Sequence, residues 1–528
     1  MRKLFPDCFL VGGNNKRTGA GAMDAQVSDA QIDWYRFVGI RPPSETDATS
    51  SDALADSDVD ANACREPSKL EQAIADSINV ARPPLDATNP VTVGWDLVAH
   101  MVTRAVIAFK FTKTTVFVLR FDKAGCVPAC KDGVRLKRAR SASKVPPFEW
   151  DGKSPIVEID RPLPSWASLN ANRRARNHAL GELCQLILQH FRPKFVGRTF
   201  MVDGHTPRNT HPIAIQYIGE PSGFLINPTD DTFANHVGEA DHALVFFAHK
   251  FVTERNMSVI TRSIDNDIMW LDILHAGSHW RKRVLHCCGM RYFRRRQEAE
   301  AAEAAEEEEE EEITLTQARA LPRHQVRYAE EYIDINRLHS AIAEHLRPQG
   351  LTLPVHSFVI CASAAVSDYV ANFPGIIVDR FIEAIWKHAK YIGDLLAYCK
   401  ETKGFTLDHE AYLRLIEVVY AIRYTGAPEI LTRCSSKAHV EAQRNELRQE
   451  VANRNKSPKR ATWRIPSDDD LSQRYLQTMW YMLYMLYGPL QPERIPDPCT
   501  MGFKNYQLAD GRIVCVPANF TDPAEDDE

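Results

Sequence analysis

The chain reads as an α/β protein: a central, mostly parallel twisted sheet flanked by helices, followed by a helical C-terminal region. Three observations carry that reading. A strand-helix-strand succession runs through 91–122, a β-branched strand followed by renewed apolar character spans 257–271, and beyond residue 380 apolar residues recur at helical spacing. A strand, a crossover helix and a second strand of one sheet form a right-handed unit whose strands are parallel.

The elements follow in order. Val91-Thr92-Val93-Gly94-Trp95-Asp96 reads as a strand ending in Asp96, after which Val98, Met101, Val102, Ala105, Val106 and Phe109 trace one helical face. Thr115 to Phe121 is a second buried strand and ends in Asp122, so both acids are expected on one edge of the sheet. Ala243, Leu244, Phe247 and Phe251 recur at helical spacing and put Glu239 and Asp241 where that helix begins. Met257-Ser258-Val259-Ile260-Thr261 suits a buried strand, with Asp265 and Asp267 at its end and Ile268-Met269-Trp270-Leu271 after them. Leu338, Ile342 and Leu346 predict a helix, and Phe358-Val359-Ile360 is a further apolar segment ahead of Asp368. Past it come three helical stripes: Phe381, Ile385, Ala389, Ile392 and Leu396; Leu413, Ile416, Val419, Tyr420 and Ile422; Leu476, Met479, Trp480, Leu483 and Leu486. Stripes of this kind are core faces.

The acids are the chemistry-bearing feature. Carboxylates crowded together repel, so a cluster that stays ionised at neutral pH implies a compensating cation. Hard oxygen ligands select Mg²⁺ or Mn²⁺, and two such ions about 4 Å apart clamp the attacking and leaving oxygens of a displacement at phosphorus. A helix start and strand ends are where open α/β sheets bind ligands. One D-x-D pair alone is a common solvated turn; the weight lies in several acids falling in order.

That order resembles the flap endonuclease and 5′ exonuclease superfamily, whose nuclease core is PIN-like. Asp96 after an apolar strand resembles the family's first metal acid, and Phe121-Asp122 the second, usually set in F-D-G. Glu239 and Asp241 are similar to the E-A-E pair with Asp in place of the second Glu, Asp265 and Asp267 to the D-x-D pair, and Asp368 to the acid before the helix-two-turn-helix. The likeness covers residues 90 to 380. It implies a metal-dependent structure-selective 5′ nuclease: Asp122, Glu239, Asp241 and Asp265 hold the ion that generates hydroxide, and Asp267, Asp368 and Asp96 complete a second site. It also implies two Mg²⁺ or Mn²⁺ ions, DNA as the substrate, and a replication or repair partner protein. Family branches with the same acids degrade RNA. An inactive PIN-like structural or nucleic-acid-binding module is the other alternative.

The chain departs from the family in three places. It opens Met1-Arg2-Lys3 rather than Met-Gly, with Asp96 far inside; after Pro374-Gly375-Ile376 a second glycine is missing; and Asp379 there repels phosphate. Family members insert a basic helical arch after the second acid. Lys131, Arg135, Lys137, Arg138 and Arg140 occupy the start of that interval and Arg173, Arg174 and Arg176 a later part, so Lys131, Arg135, Arg138, Arg173 and Arg174 are the candidate phosphate contacts. For any single one a solvated helix face is the plainer explanation.

Composition bounds the rest. The 528 residues are 44% hydrophobic and 25% charged, an ordinary globular balance for two to four domains. A net charge of -5 excludes a general nucleic-acid coat, whose surface is basic throughout, so any such contact is local. No stretch reaches the length of a membrane span and the start lacks a signal-peptide core, which predicts no membrane partner and an intracellular, non-secreted protein. Lys456-Ser457-Pro458-Lys459-Arg460 is a basic, proline-broken stretch for which a solvated loop is the plainer explanation beside a nucleic-acid contact or a nuclear address, and the expected location is the nucleus or a site of viral DNA replication. The 12 cysteines are scattered, and neither Cys126, Cys130, Cys287 and Cys288 nor His275, His279 and His286 has zinc-ribbon spacing. Organisation follows composition: an N-terminal segment (1–43), a flexible acidic linker (44–88), the nuclease core with its arch-type insertion (89–292), an Arg/Glu linker (293–325), the core's continuation (326–380), a helical region (381–515) and an acidic tail (516–528).

Overall fold

In the computed structural model the described residues are 1–2, 4–12, 23–29, 69–83, 93–122, 146–165, 168–169, 172–204, 210–263, 266–277, 280–294, 312–314, 317, 326–365, 367, 369–370, 373, 375–400, 404–424, 437–454, 465–507 and 513–518. Ten strands join in one sheet: β1 (Phe9–Gly12), β2 (Ala25–Asp29), β3 (Val116–Arg120), β4 (Thr199–Asp203), β5 (Ile213–Gly219), β6 (Gly223–Pro228), β7 (Val259–Arg262), β8 (Val284–Arg294), β9 (Glu312–Ile313) and β10 (Val326–Asp334). Their order is β1-β10-β8-β7-β2-β3-β4-β5-β6, with β9 on β8. The run β8-β7-β2-β3-β4 is parallel, and the outer strands are antiparallel. The protein is thus α/β with a large mixed sheet whose middle is parallel.

β3 shows why the sheet carries two cores. Successive side chains of a strand point to opposite faces. Phe117, Leu119 and Phe121 therefore join Phe200 and Val202 under helices α1 (Lys69–Asp76), α2 (Gly94–Phe111) and α3 (Arg173–His190), while Val118 joins Ala25, Val27, Met201 and Val259 on the other face. That second face is covered by α4 (Ala240–Thr253), α5 (Asn266–His275), α6 (Ile335–Leu346) and α7 (Pro354–Ala365). Outside them pack α8 (Val378–Ile392), α9 (His409–Tyr424), α10 (Lys437–Arg454) and α11 (Asp468–Tyr487), with two hairpins, β11 (Leu396–Cys399) with β12 (Gly404–Leu407) and β13 (Phe503–Gln507) with β14 (Ile513–Pro517). Among the described residues no helix is long and apolar enough to cross a membrane.

Several expectations need correction. Residues 93–96 are not the end of a strand: helix α2 starts at Gly94, and 91 and 92 lie outside the described residues. Glycine is needed at the start of that helix, because a Cβ on Gly94 would lie 2.1 Å from the carbonyl oxygen of Glu158. The strand that precedes the crossover is β2, within the stretch read as a separate N-terminal segment, and it is the middle of the parallel run. Residues 69–76, read as linker, form α1 against α2, and Ile78 bridges to Phe191. Phe358-Val359-Ile360 belongs to α7, which is buried along its whole length. The acidic stretch 44–66, the Glu tract 306–311 and the tail 519–528 lie outside the described residues.

Connectivity makes β2 a switch point. From β2 the chain moves through α2, β3, α3 and β4 to one side, then returns through α4 to β7 on the other side of β2 and onward to β8. A crevice opens outside the carboxyl ends of strands at such a reversal. Neighbouring strands are about 4.8 Å apart, so the ends of β3 and β7, which flank β2, stand about 10 Å from each other.

Candidate active site

The crevice is built from the strand ends inward. Arg120, the last residue of β3, is fully buried and donates through Nη1 to Asp203 Oδ2 at 2.7 Å. Its Nη2 donates to the carbonyl oxygens of Val237 and of Gly238, the latter at 3.3 Å. Asn235 adds a hydrogen bond to Asp203 Oδ2 at 3.1 Å. Burying a guanidinium is unfavourable unless it is paired and bonded, and here the pairing fastens the segment leading into α4 to the ends of β3 and β4. Gly204 completes the junction, with φ +85° and a Cβ position 2.0 Å from the Phe121 carbonyl oxygen, which no side chain can occupy.

α4 therefore starts at a fixed place, with two of the predicted acids in its first residues and a third bonded to its backbone. Asp122, two residues past β3, accepts from the backbone N of Ala240 at 2.9 Å. Glu239 is the N-cap position of α4 and Asp241 lies in its first turn. The positive end of a helix favours this gathering of carboxylates. Glu239 is 3% exposed, and its Oε1 accepts from the Tyr369 hydroxyl at 3.0 Å while Oε2 accepts from the Tyr484 hydroxyl. Asp122, Asp241 and Asp267 are partly exposed. A cavity of about 540 Å³ adjoins Glu239, walled by His236, His242, Trp480, Tyr484, Asp497 and Cys499 among others.

The remaining acids come from the other flank of β2. Asp267 lies in the first turn of α5, directly after β7. α5 is anchored to the sheet by Asp272, fully buried, which accepts from Thr261 Oγ1 on β7 and lies 3.0 Å from His286 Nδ1 on β8. Asp265 lies outside the described residues, between Ser263 and Asn266, and so do Asp368, Lys131, Arg135 and Arg138. Tyr369 donates its hydroxyl to Glu239 Oε1 at 3.0 Å.

Asp96 stands apart. It is 7% exposed, with Oδ2 accepting from Val93 N at 3.1 Å and Oδ1 from Arg82 Nε at 2.7 Å, so it caps α2 inside an ion pair. The strand-end position expected of Asp96 is held instead by Asp29, the last residue of β2, in register with Arg120. The signal that could have found it is Ala25-Gln26-Val27-Ser28-Asp29, a short alternation closing on an acid. Of the basic candidates, Arg173 opens α3 and Arg174 is exposed, 5.6 Å from the Trp150 ring centroid. Because α3 runs back to the start of β4, its first residues stand on the edge of the sheet where the acids lie.

No family model matches the chain, and no curated protein is detectably similar to it. The donor chemistry must therefore speak for itself. Among the described residues no three of His, Cys, Asp and Glu are gathered closely enough to hold one metal ion. The described acids at the crevice are nevertheless all oxygen donors, the type that hard divalent cations prefer. Asp96 does not fit, since a guanidinium and a backbone N–H already occupy its two oxygens, and Glu239 is similarly engaged, with a tyrosine hydroxyl on each oxygen.

Proposed function

We propose that the chain is a metal-dependent nuclease of the 5′ nuclease type, hydrolysing phosphodiester bonds of DNA in the crevice at the ends of β2, β3 and β7. The observation that supports this reading is the placement of Glu239 and Asp241 at the start of α4, to which Asp122 bonds from the end of β3, with Asp267 in the first turn of α5 after β7. Asp122, Glu239, Asp241, Asp265, Asp267 and Asp368 would hold Mg²⁺ or Mn²⁺, and Asp96, closed in its own ion pair, would not. Such ions supply an activated water and neutralise charge developing on the phosphoryl oxygens. The chain's own part is placement. Arg120 and Asp122 fix the start of α4, and Arg173 and Arg174 offer positive charge on the edge that a phosphate backbone would cross.

Incubation with Mg²⁺ or Mn²⁺ and labelled 5′-flap DNA, blunt duplex, single-stranded DNA and single-stranded RNA tests the proposal, beside Asp122→Asn and Asp265→Asn variants. Cleavage of DNA that both variants lose is the expected result. Cleavage of RNA alone moves the substrate class, and equal cleavage by wild type and variants removes the enzyme reading. A second reading, a catalytically silent nucleic-acid-binding module on this fold, is favoured by one observation: both oxygens of Glu239 already accept tyrosine hydroxyls. It predicts metal-independent binding of the same oligonucleotides with no product.

A further inference from the structure

Two thiols, Cys499 and Cys515, stand in the wall of the cavity beside Glu239, and the reading built on the acids uses neither. Cys499 belongs to the short turn Pro498–Thr500 and Cys515 to β14. The hairpin of β13 with β14 brings them together. Asn505 of β13 is the cross-strand partner of Cys515, and its Oδ1 accepts from the Cys499 Sγ at 3.3 Å. Opposed residues of an antiparallel pair share one face and have Cα atoms about 4.5–5.5 Å apart. A thiol that bonds to Asn505 therefore lies against Cys515 as well. Burial pushes the Cys499 thiol up to about 11, and the adjacent Cys515 adds to the rise.

Both thiols are carried on anchored backbone. Asp497 Oδ1 accepts from the Cys499 N at 2.9 Å, and the Thr500 Oγ1 donates to the Asp497 carbonyl at 2.7 Å. The preceding Pro496 carbonyl accepts from Trp480 Nε1 of α11 at 3.0 Å. At the base of the hairpin the Ala518 N donates to the Gly502 carbonyl at 2.9 Å. The two sulfurs differ in access. Cys515 is 1% exposed, whereas Cys499 is half-buried and faces a cavity of about 540 Å³. A small reagent reaches Cys499 first, with Cys515 behind it.

We infer that Cys499 and Cys515 are an exchangeable dithiol, which a low-molecular-weight disulfide such as oxidised glutathione converts to an intrachain disulfide that clamps this wall of the cavity. The exchange balances in two steps. Cys499 gives up its proton and attacks one sulfur of the reagent, forming a mixed disulfide and releasing one glutathione thiol. Cys515 then gives up its proton and attacks the Cys499 sulfur, releasing the second. Two protein thiols are oxidised, the reagent's S–S bond is reduced, and the two protons finish on the released thiols. The new bond ties the turn at Cys499 to β14, and a closed loop restricts the unfolded chain more than the folded one. The inference stands whether or not the crevice hydrolyses phosphodiesters.

The full chain is incubated with oxidised glutathione at about pH 8.5, where more of a raised thiol is thiolate than at neutral pH. Remaining thiols are blocked with iodoacetamide and tryptic peptides are mapped by mass spectrometry with and without reduction. Cleavage after Lys504 and Arg512 leaves the two cysteines on separate peptides, so the link is read directly. Cys499→Ser and Cys515→Ala are treated alike, and thermal melting is recorded before and after oxidation. The expected result is a reducible 499–515 peptide pair in wild type, absent from both variants, with a higher melting temperature for oxidised wild type alone. Blocked Cys499 and Cys515 after oxidation, links from either to other cysteines, or Cys499 held as a stable glutathione adduct overturns the inference. A 499–515 link with unchanged melting overturns the clamp and keeps the dithiol.

Discussion

The starts of α2 and α4 make an instructive pair. Each puts a buried acid at a helix N-terminus, Asp96 in one and Glu239 in the other. At α2 the acid meets a guanidinium at 2.7 Å and the Val93 N–H, which neutralise and cap it. At α4 the capping of Ala240 N falls to Asp122 from a neighbouring strand, and the two phenols that hold Glu239 bring no charge. An acid that closes its own helix inside an ion pair serves the fold. Glu239 instead ties α4 to Tyr369 and to α11 through two hydroxyls.

The strongest way to break that contrast is Asp122→Asn against Asp96→Asn in the cleavage assay. The first is expected to lower activity by about 1000-fold or more, as loss of a charged group at a phosphoryl-transfer centre does, and the second to leave activity per folded molecule unchanged. Equal losses would dissolve the distinction between the two helix starts.

Acid should act on the α4 side of the sheet. Burial lowers the pKa of His275 from 6.5 to about 4, against the raising effect of the hydrogen bond that its Nε2 donates to the Met485 carbonyl, and burial likewise takes His356 to about 4. Both folded values lie below the unfolded ones, so the unfolded chain binds more protons between pH 6.5 and 4. Stability is full above pH 6.5 and falls as pH drops towards 4, by up to about 3 kcal/mol for each histidine. Urea unfolding at pH 7, 5.5 and 4 measures this, and His275→Asn should flatten the fall.

Next in size comes Gly488→Ala, which forces a methyl group against the His242 ring and should destabilise by about 1–3 kcal/mol in denaturant unfolding. Asp96→Ala follows, at about 1–2 kcal/mol from loss of the cap, with no change in Mn²⁺ affinity. Smallest is Arg174→Ala: a loss of a few-fold in DNA affinity and a salt dependence shallower by about one unit of slope. An unchanged slope would place Arg174 off the path of the phosphate backbone, in its role beside Trp150.

The parts of this molecule legible in its sequence are those where pattern and packing agree. Val118 and its neighbours in β3, the α4 stripe of Ala243, Leu244, Phe247 and Phe251, and the α8 stripe of Phe381, Ile385, Ala389 and Ile392 all lie buried where their periodicity placed them. The α11 stripe was only partly legible. Trp480 and Leu483 are buried, but so are Tyr481, Met482, Tyr484 and Met485, because this helix is packed on several sides. β2 was missed because Ala25-Gln26-Val27-Ser28-Asp29 has one β-branched residue and two apolar ones, while the β-branched Val91-Thr92-Val93 drew the strand reading on to residues 94–96, which open a helix. Of the site, Asp122, Glu239, Asp241 and Asp267 were legible as acids beside apolar elements. Tyr369 and Tyr484 were not, since a tyrosine in a helical stripe looks the same whether its hydroxyl meets solvent or a carboxylate.

β2 also bears on how this protein assembles. The strand is synthesised early, yet its two partners arrive with Val116–Arg120 and Val259–Arg262, so its edges stay open until most of the sheet has left the ribosome. Pairings so distant in sequence make for slow folding and an intermediate prone to aggregate. Trimming the first thirty residues would accordingly cleave the sheet down its middle, parting β3 from β7, instead of shortening a dispensable tail.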